Sequence, residues 1–301
     1  MVSPAAEVEI DARLVRALLA EQHPDLADLP LRPFAEGWDN ALWSVGDDLL
    51  ARLPRRALGA ALVAHEQRWL PELAPALPLP IPVPVRVGRP STVYPWSWSV
   101  VPRFEGEPAD RQPACDADVV AAQLGGFLRA LHVPAPPDAP RNPYRGVPLF
   151  DRSNAFEARL TDLVREIDVD AVRAVWEHAI AAPPQTGPPV WLHGDPHPAN
   201  VLIADGALAA VIDFGDLCAG DPATDLAGAW MLLPPAALPS FVAAYAGPDG
   251  LDPDLERRAL GWAVLFGVLL LAIGLDDRPT YAPIGRRTLD HAVAHAGQTG
   301  R

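Results

Sequence analysis

Apolar residues recur along this chain in two patterns: a period of 3.6 residues, which predicts helices, and short continuous runs, which are typical of buried strands. A period of 3.6 residues runs through 57–73 and through 118–132, which predicts two amphipathic helices. The uncharged stretch 259–275 is just shorter than a membrane span and predicts a buried helix. Further helices are predicted over 7–21, 153–180 and 284–296.

Short apolar runs occur in the first third of the chain, at 49–54 and 96–104. Between them, the segment LPLPIPVPVRVGRP (77–90) has a proline at nearly every second position. Proline cannot donate to a strand ladder, so this segment is predicted to be a stiff connector that forms at best an edge strand.

A second group of short apolar runs surrounds a polar loop in the middle of the chain. The runs are 190–192, 201–203 and 208–212. Asp205-Gly206 separates the last two, and Asp-Gly is a strong signal for a two-residue hairpin turn. The pattern therefore predicts a strand, a loop and then a hairpin.

Composition restricts the class of protein. The chain has 301 residues, half of them hydrophobic, which is enough for a large folded core. The net charge of −14 argues against a nucleic-acid partner, and an acidic surface favours cationic small molecules through electrostatic steering.

No export signal or membrane span is visible, and Cys115 and Cys218 fit neither a disulfide framework nor a metal site, so we expect a cytoplasmic protein.

All 24 basic residues are arginine, and the chain contains no lysine. A Walker A loop requires the motif G-K-[ST], and an enzyme that works through a Schiff base requires a reactive lysine. P-loop and pyridoxal-phosphate enzymes are therefore excluded.

The central loop contains a chemical signature. From Trp191 to Asp216 the sequence reads WLHGDPHPANVLIADGALAAVIDFGD. The spacing H-x-D-x-x-x-x-N, followed by D-F-G, is that of the protein-kinase catalytic loop and metal-binding motif. It predicts that Asp195 is the catalytic base and that Asn200 and Asp213 bind Mg²⁺ from one end of the hairpin.

The segments HGDPHPANVL and VIDFGDLCAGDPATDLA also resemble the aminoglycoside phosphotransferase family, which are protein-kinase-like kinases of small-molecule hydroxyl groups. The resemblance implies an α+β, two-lobed fold, with a small antiparallel sheet and one helix in the N-terminal lobe and a larger, mostly helical C-terminal lobe. The implied divisions are a nucleotide-binding lobe at 1–101, a hinge at 102–106 and a catalytic and substrate-binding lobe at 107–301.

The resemblance also assigns residues to the nucleotide. Arg52 would contact the phosphates in place of the usual lysine, and Glu66 on the helix over 57–73 would pair with it. The other implied nucleotide contacts are Trp38 and Asn40 in a covering hairpin, and the hinge backbone at Pro102 and Phe104.

Two residues would support the catalytic loop rather than react. By the resemblance, Asp225 in GDPATDL is buried and holds the loop backbone, and His193 packs beneath the loop.

The expected activity is transfer of the γ-phosphate of ATP or GTP, with Mg²⁺, to a cationic or polyhydroxylated small molecule. The acceptor is an aminoglycoside, another antibiotic such as a macrolide, or a metabolite, and the first two would connect the protein with antibiotic resistance. Two alternatives remain. The missing lysine fits a nucleotide-binding protein with impaired catalysis, and His193, Asp195 and His197 alternate as the ligands of a metal-dependent hydrolase do. The oligomeric state leaves no mark in the sequence.

Overall fold

A computed structural model describes residues 5–111 and 116–299 of the chain; Cys115 lies outside them. These residues divide into two compact units. The first comprises the residues up to Glu105 together with Ala210–Leu217. The second comprises Gly106–Ala209 together with the residues from Cys218 onward.

A five-stranded antiparallel sheet forms the centre of the first unit, with the strand order β1-β2-β3-β5-β4. Its strands are β1 Leu31–Glu36, β2 Asn40–Val45, β3 Leu49–Pro54, β4 Arg86–Gly88 and β5 Trp98–Pro102.

Prolines explain which strands lie at the edges of this sheet. The proline-rich connector contributes only the three-residue β4, and β4 is an edge strand, as predicted. β1 is the other edge strand and contains Pro33, and its register with β2 shifts between Pro33 and Ala35. The central strands β2, β3 and β5, whose backbone must hydrogen-bond on both sides, contain no proline before their last residue, and Pro54 and Pro102 end β3 and β5.

Two α-helices belong to this unit, α1 (Ala12–Gln22) and α2 (Ala57–Leu73). α2 has the predicted bounds. The predicted start of the first helix at residue 7 is wrong, because the Asp11 carboxylate accepts a hydrogen bond from the Leu14 N–H at 2.7 Å and caps the helix there. The unit thus contains α1 in addition to α2, the one helix that the resemblance implies for the N-terminal lobe.

The second unit is mostly helical, as expected. Its helices are α3 Ala117–Leu131, α4 Ser153–Thr161, α5 Val169–Ile180, α6 Ala223–Leu226, α7 Gly228–Leu232, α8 Leu238–Ala246, α9 Pro253–Asp276 and α10 Tyr281–Thr299. The helical structure predicted over 153–180 is present as two helices, α4 and α5, which residues 162–168 separate. The Asp168 side chain caps the new start by accepting from the Ala171 N–H at 3.0 Å.

α9 is the core helix of this unit. By length and composition it is apolar enough to cross a membrane, but 72% of its most apolar 18-residue window is buried inside the protein. α10 packs so closely against it that a Cβ on Gly274 would come within 2.1 Å of the Ala282 nitrogen. The prediction of a buried helix is confirmed.

Short strands position the central loop of the second unit. β7 (Val190–Leu192) pairs antiparallel with β10 (Cys218–Gly220). β8 (Val201–Ala204) lies between β6 (Glu107–Pro108) and β9 (Ala207–Val211). Asp205 and Gly206, between β8 and β9, have φ angles of 52° and 80°. Positive φ at both central residues is typical of a type I′ hairpin turn, so the predicted turn is confirmed.

Candidate active site

The loop between β7 and β8 holds Asp195 and Asn200 together. The Asn200 Nδ2 group donates to the Asp195 carboxylate oxygen Oδ2 at 3.0 Å and to the Asp195 backbone oxygen at 3.1 Å. Gly194, just before Asp195, has a φ of 85°, a conformation that side-chain-bearing residues rarely adopt. The sharp turn at this glycine and the amide of Asn200 therefore determine where the Asp195 carboxylate lies.

Asp225 anchors the start of this loop from beneath. Its buried carboxylate accepts hydrogen bonds from the His193 N–H at 2.7 Å and from the Gly194 N–H at 2.8 Å. Two such bonds to an ionised carboxylate are stronger than bonds between neutral groups. The structure thus places Asp225 where the sequence predicted it, against the backbone of the catalytic loop.

Two further side chains continue inward from Asp225. The His132 Nε2 atom lies 3.2 Å from the Asp225 carboxylate, and its Nδ1 atom lies 2.8 Å from the Tyr245 hydroxyl. Burial raises the pKa of Asp225, but the hydrogen bond and charge of His132, the charge of His193 and the Gly194 N–H lower it more, and the net pKa is below its ordinary value. Asp225 is therefore held as a carboxylate.

The first unit contains a buried ion pair on β3 and α2. The Arg52 Nη2 atom lies 2.9 Å from the Glu66 carboxylate and 3.1 Å from the Asp213 carboxylate. Burial alone lowers the pKa of Arg52, but the charges of Glu66 and Asp213 and the hydrogen bond to Asp213 raise it above its ordinary value. Arg52 thus occupies the position predicted for the missing lysine and is charged.

Asp213 has an unusual backbone conformation. Its φ of 59° and ψ of 71° lie in the left-handed region, which non-glycine residues other than Asn, Asp and His seldom occupy. Such conformations are concentrated at functional sites. A Cβ on Gly215 would lie 3.3 Å from the Asp213 carboxylate, so the glycine of the D-F-G sequence leaves room for that carboxylate beside Arg52.

The remaining predicted nucleotide contacts lie at the ends of strands. Trp38 is half-buried in the turn between β1 and β2, and Asn40 is the first residue of β2. The Asn40 side-chain oxygen is buried and has no hydrogen-bond partner among the described residues. Pro102 is the last residue of β5, and Phe104 follows two residues later, half-buried. Their contacts with a nucleotide stay predictions.

The sequence matches a known family along most of its length. Residues 30–260 match the phosphotransferase enzyme family, APH. The chain belongs to this family. It is accordingly a phosphotransferase, and its fold is the kinase-like α+β fold of solved phosphotransferase structures.

Three of these solved structures indicate how far the likeness of this phosphotransferase extends. The GDP complex of aminoglycoside 2′-phosphotransferase-IIIa is 20% identical, with a TM-score of 0.66 over 95% of this chain and 99% of the other. Macrolide 2′-phosphotransferase MphH from Brachybacterium faecium is 24% identical, with a TM-score of 0.61 over 93% and 98%. The streptomycin–ATP complex of APH(2″)-IIa is 18% identical, with a TM-score of 0.59 over 87% and 91%. Among curated proteins, no sequence matches the chain significantly.

The phosphotransferase presents oxygen ligands that fit Mg²⁺. Asn200 uses its amide N–H groups on Asp195, which leaves the amide oxygen as the atom to face a cation. Asp213 contributes a half-exposed carboxylate. Amide and carboxylate oxygens are ligands that Mg²⁺ prefers. That the two residues bind one ion stays a prediction.

The hydrolase alternative lacks a metal centre. Among the described residues, no three His, Cys, Asp or Glu side chains cluster as metal ligands would. The His193 Nδ1 atom accepts from the Asp195 N–H at 3.2 Å, and the His197 Nδ1 atom accepts from the Ala199 N–H at 3.0 Å. Burial lowers the pKa of His197, with the charges of Asp195 and Asp110 acting in the opposite direction. The two histidines therefore support the loop.

Sequence reasoning missed three residues that lie near the catalytic loop. They are His132 at the end of α3, Tyr245 on α8, and Arg145, whose Nη2 atom lies 3.9 Å from the Asp195 carboxylate. None stands near the loop in sequence, and none belongs to a motif, so no local signal pointed to them.

Proposed function

We propose that this phosphotransferase transfers the γ-phosphate of ATP or GTP to a hydroxyl group of a polyhydroxylated small molecule. The observation that most supports the proposal is the arrangement of Asp195, whose carboxylate is held by Asn200 on a loop that Asp225 anchors. Phosphoryl transfer requires mainly positioning and charge stabilisation from the protein, and a fixed carboxylate meets the first requirement.

In the proposed reaction, Asp195 orients the acceptor hydroxyl and accepts its proton as the oxygen attacks phosphorus. Mg²⁺ bound by Asn200 and Asp213 would neutralise phosphate charge. Because Asn200 donates to Asp195, one side chain connects the base with the metal site. Loss of Asn200 would then disturb both functions.

Arg52 is proposed to clamp the phosphates that are not transferred. The guanidinium is a planar fork that binds phosphate through two parallel hydrogen bonds, whereas lysine acts as a point charge. Its ion pair with Glu66 is already in place. This argues against impaired nucleotide binding as the meaning of the missing lysine.

The structural neighbours support the choice of substrates. Solved structures of these phosphotransferases include complexes with GDP, with ADP and with ATP, and complexes with kanamycin, gentamicin and streptomycin. Both types of nucleotide therefore belong in a test, and so do acceptors with several hydroxyl groups.

The experiment is a measurement of nucleoside diphosphate release from ATP or GTP with Mg²⁺ and a panel of aminoglycosides, macrolides and simple polyols. The control for catalysis is Asp195→Ala, and the matched control is Asp249→Ala, an exposed carboxylate between α8 and α9. We expect release that depends on the acceptor, is lost in Asp195→Ala and persists in Asp249→Ala. Nucleotide binding without release for any acceptor would contradict the proposal.

A further inference from the structure

A loop of the second unit brings an arginine to the proposed catalytic base. The Arg145 Nη2 atom lies 3.9 Å from the Asp195 Oδ1 atom. The guanidinium carbon also lies 5.0 Å from the centre of the Phe266 ring on the core helix α9. Arg145 is thus held between an apolar ring and the carboxylate that would receive the acceptor's proton.

Arg152, just before α4, is a second cation in the same loop. Its guanidinium carbon lies 5.1 Å from the centre of the Tyr144 ring, and the Arg145 Nη1 atom donates to the Tyr144 backbone oxygen at 3.4 Å. Within 5–111 and 116–299, the Arg152 side chain forms neither an ion pair nor a hydrogen bond, and its Nε atom is buried. Tyr144 therefore contacts both guanidinium groups: that of Arg145, which lies near Asp195, and that of Arg152, which has no anionic partner among the described residues.

The two positive charges are close enough to act on each other. Burial, followed by the charge of Arg145, lowers the pKa of Arg152, while Tyr144 acts weakly in the opposite direction. The chain has 38 acidic residues against 24 basic ones, so carboxylates to neutralise such a pair are abundant. A half-buried arginine that nonetheless lacks a carboxylate beside a second arginine is arranged to receive an anion from outside.

We propose that Arg145 and Arg152 bind an anionic group, a carboxylate or a phosphate, on the acceptor and so place the acceptor hydroxyl at Asp195. This inference rests on the proposed function. The contact between Arg145 and Asp195 places the anion site within the length of one small molecule from the base. The same charges repel a polycationic acceptor, although the net charge of the chain attracts one.

The anionic group takes no part in the bond changes. The acceptor oxygen forms a bond to the γ-phosphorus, the bond between that phosphorus and the bridging oxygen breaks, and the diphosphate leaves with the electron pair. The hydroxyl proton passes to Asp195. The two arginines act only by orienting the acceptor and stabilising its charge.

The test compares acceptors that share hydroxyl groups but differ in charge. Glycerol is assayed beside glycerate and glycerol 3-phosphate, glucose beside gluconate and glucose 6-phosphate, and kanamycin serves as the polycation. We expect kcat/KM for the anionic members to exceed that for their neutral partners about tenfold or more, as for a charge-assisted hydrogen bond. Arg152→Gln should raise the KM of the anionic acceptors about tenfold and leave the KM of the nucleotide unchanged.

A matched variant distinguishes this effect from a change of net charge. Arg165→Gln removes an exposed arginine between α4 and α5 and should alter neither KM. Equal or better use of neutral acceptors or kanamycin would overturn the inference. A rise in the KM of the nucleotide in Arg152→Gln would also overturn it, because the arginines would then serve the nucleotide phosphates.

Binding without turnover separates this inference from the proposed function. Glycerol 3-phosphate and inorganic phosphate are titrated calorimetrically into wild-type protein and Arg152→Gln without nucleotide. Binding that depends on Arg152 supports the anion site. If in addition no acceptor gives diphosphate release, that result contradicts the proposed function but not the anion site. Absence of binding to the wild-type protein, together with no preference for anionic acceptors, would refute the anion site.

Discussion

Arg52 is buried and Arg152 is half-buried, and the charged groups around the two arginines differ in kind. Arg52 lies between the carboxylates of Glu66 and Asp213, at 2.9 and 3.1 Å. Arg152 has an aromatic ring and the charge of Arg145 as neighbours and lacks a carboxylate partner among the described residues. The positive charge of Arg52 is compensated by carboxylates of the protein, whereas that of Arg152 is not compensated by any described residue.

The two arginines are suited to different roles. A guanidinium fixed between two carboxylates has already lost its hydration and its freedom of rotation, so the nucleotide phosphate proposed to bind there would meet a preorganised group. The positive charge of a half-buried guanidinium without a carboxylate partner is uncompensated, and a bound anion would stabilise it. Substitutions at each position should therefore differ in their effects on stability and on substrate affinity.

The largest expected effect distinguishes the proposed base, Asp195, from the proposed metal ligand, Asp213. Asp195→Ala should reduce diphosphate release by about 10²- to 10⁴-fold and leave nucleotide affinity nearly intact, since a general base acts only on the chemical step. Asp213→Ala should reduce both, because it removes a predicted Mg²⁺ ligand and a partner of Arg52. Calorimetric titration with ATP and Mg²⁺ beside the turnover assay measures the two effects. Equal loss of binding in both variants would show that the roles are not separate.

The next prediction tests whether Arg52 depends on its partner. Glu66→Ala should lower the free energy of unfolding by about 3 kcal/mol, because it leaves a buried guanidinium with one carboxylate fewer. Glu72→Ala, an exposed position on the same helix, is the control and should have little effect. Chemical denaturation measures both. A change as small as that of the control would mean that Arg52 does not need this pair.

The support of the catalytic loop has a predictable pH dependence. The pKa of Asp225 is below its ordinary value in the folded protein, so its carboxylate adds stability above about pH 4, and that stability is lost as the pH falls through the lower, folded pKa. Asp225→Asn should cost about 2–3 kcal/mol at pH 7, and the gap to the wild type should narrow below pH 4. Denaturation curves at several pH values test this. A gap that widened in acid would contradict the sign.

The smallest expected effect on stability is at Arg152, and it contrasts with the loss expected at Glu66. Arg152→Gln should change the free energy of unfolding by less than about 0.5 kcal/mol or increase it slightly, since it removes a repulsion with Arg145 and no ion pair. Thermal and chemical denaturation in buffer without phosphate provide the measurement. A loss as large as that of Glu66→Ala would mean that Arg152 is a structural cation like Arg52.

Much of the local structure was predictable because its signal is local. The helix over 57–73 and the Asp205-Gly206 turn depend on neighbouring residues, and both have the predicted form. The first helix starts later than predicted because a cap at Asp11 determined its start. The amphipathic pattern over 153–180 continues through 162–168, yet that segment separates α4 from α5. Periodicity detects a buried face but not the position of each end.

Residue types and short spacings were enough to identify the family and most of the strands and helices, and they singled out Asp195, Asn200 and Asp213 as candidate site residues. The tertiary structure alone decided that Arg145 faces Asp195 across 50 positions of sequence, and that His132 and Tyr245 stand behind Asp225. Contacts of this kind arise because the folded chain brings together segments that lie far apart in sequence. No local pattern of side chains records that path.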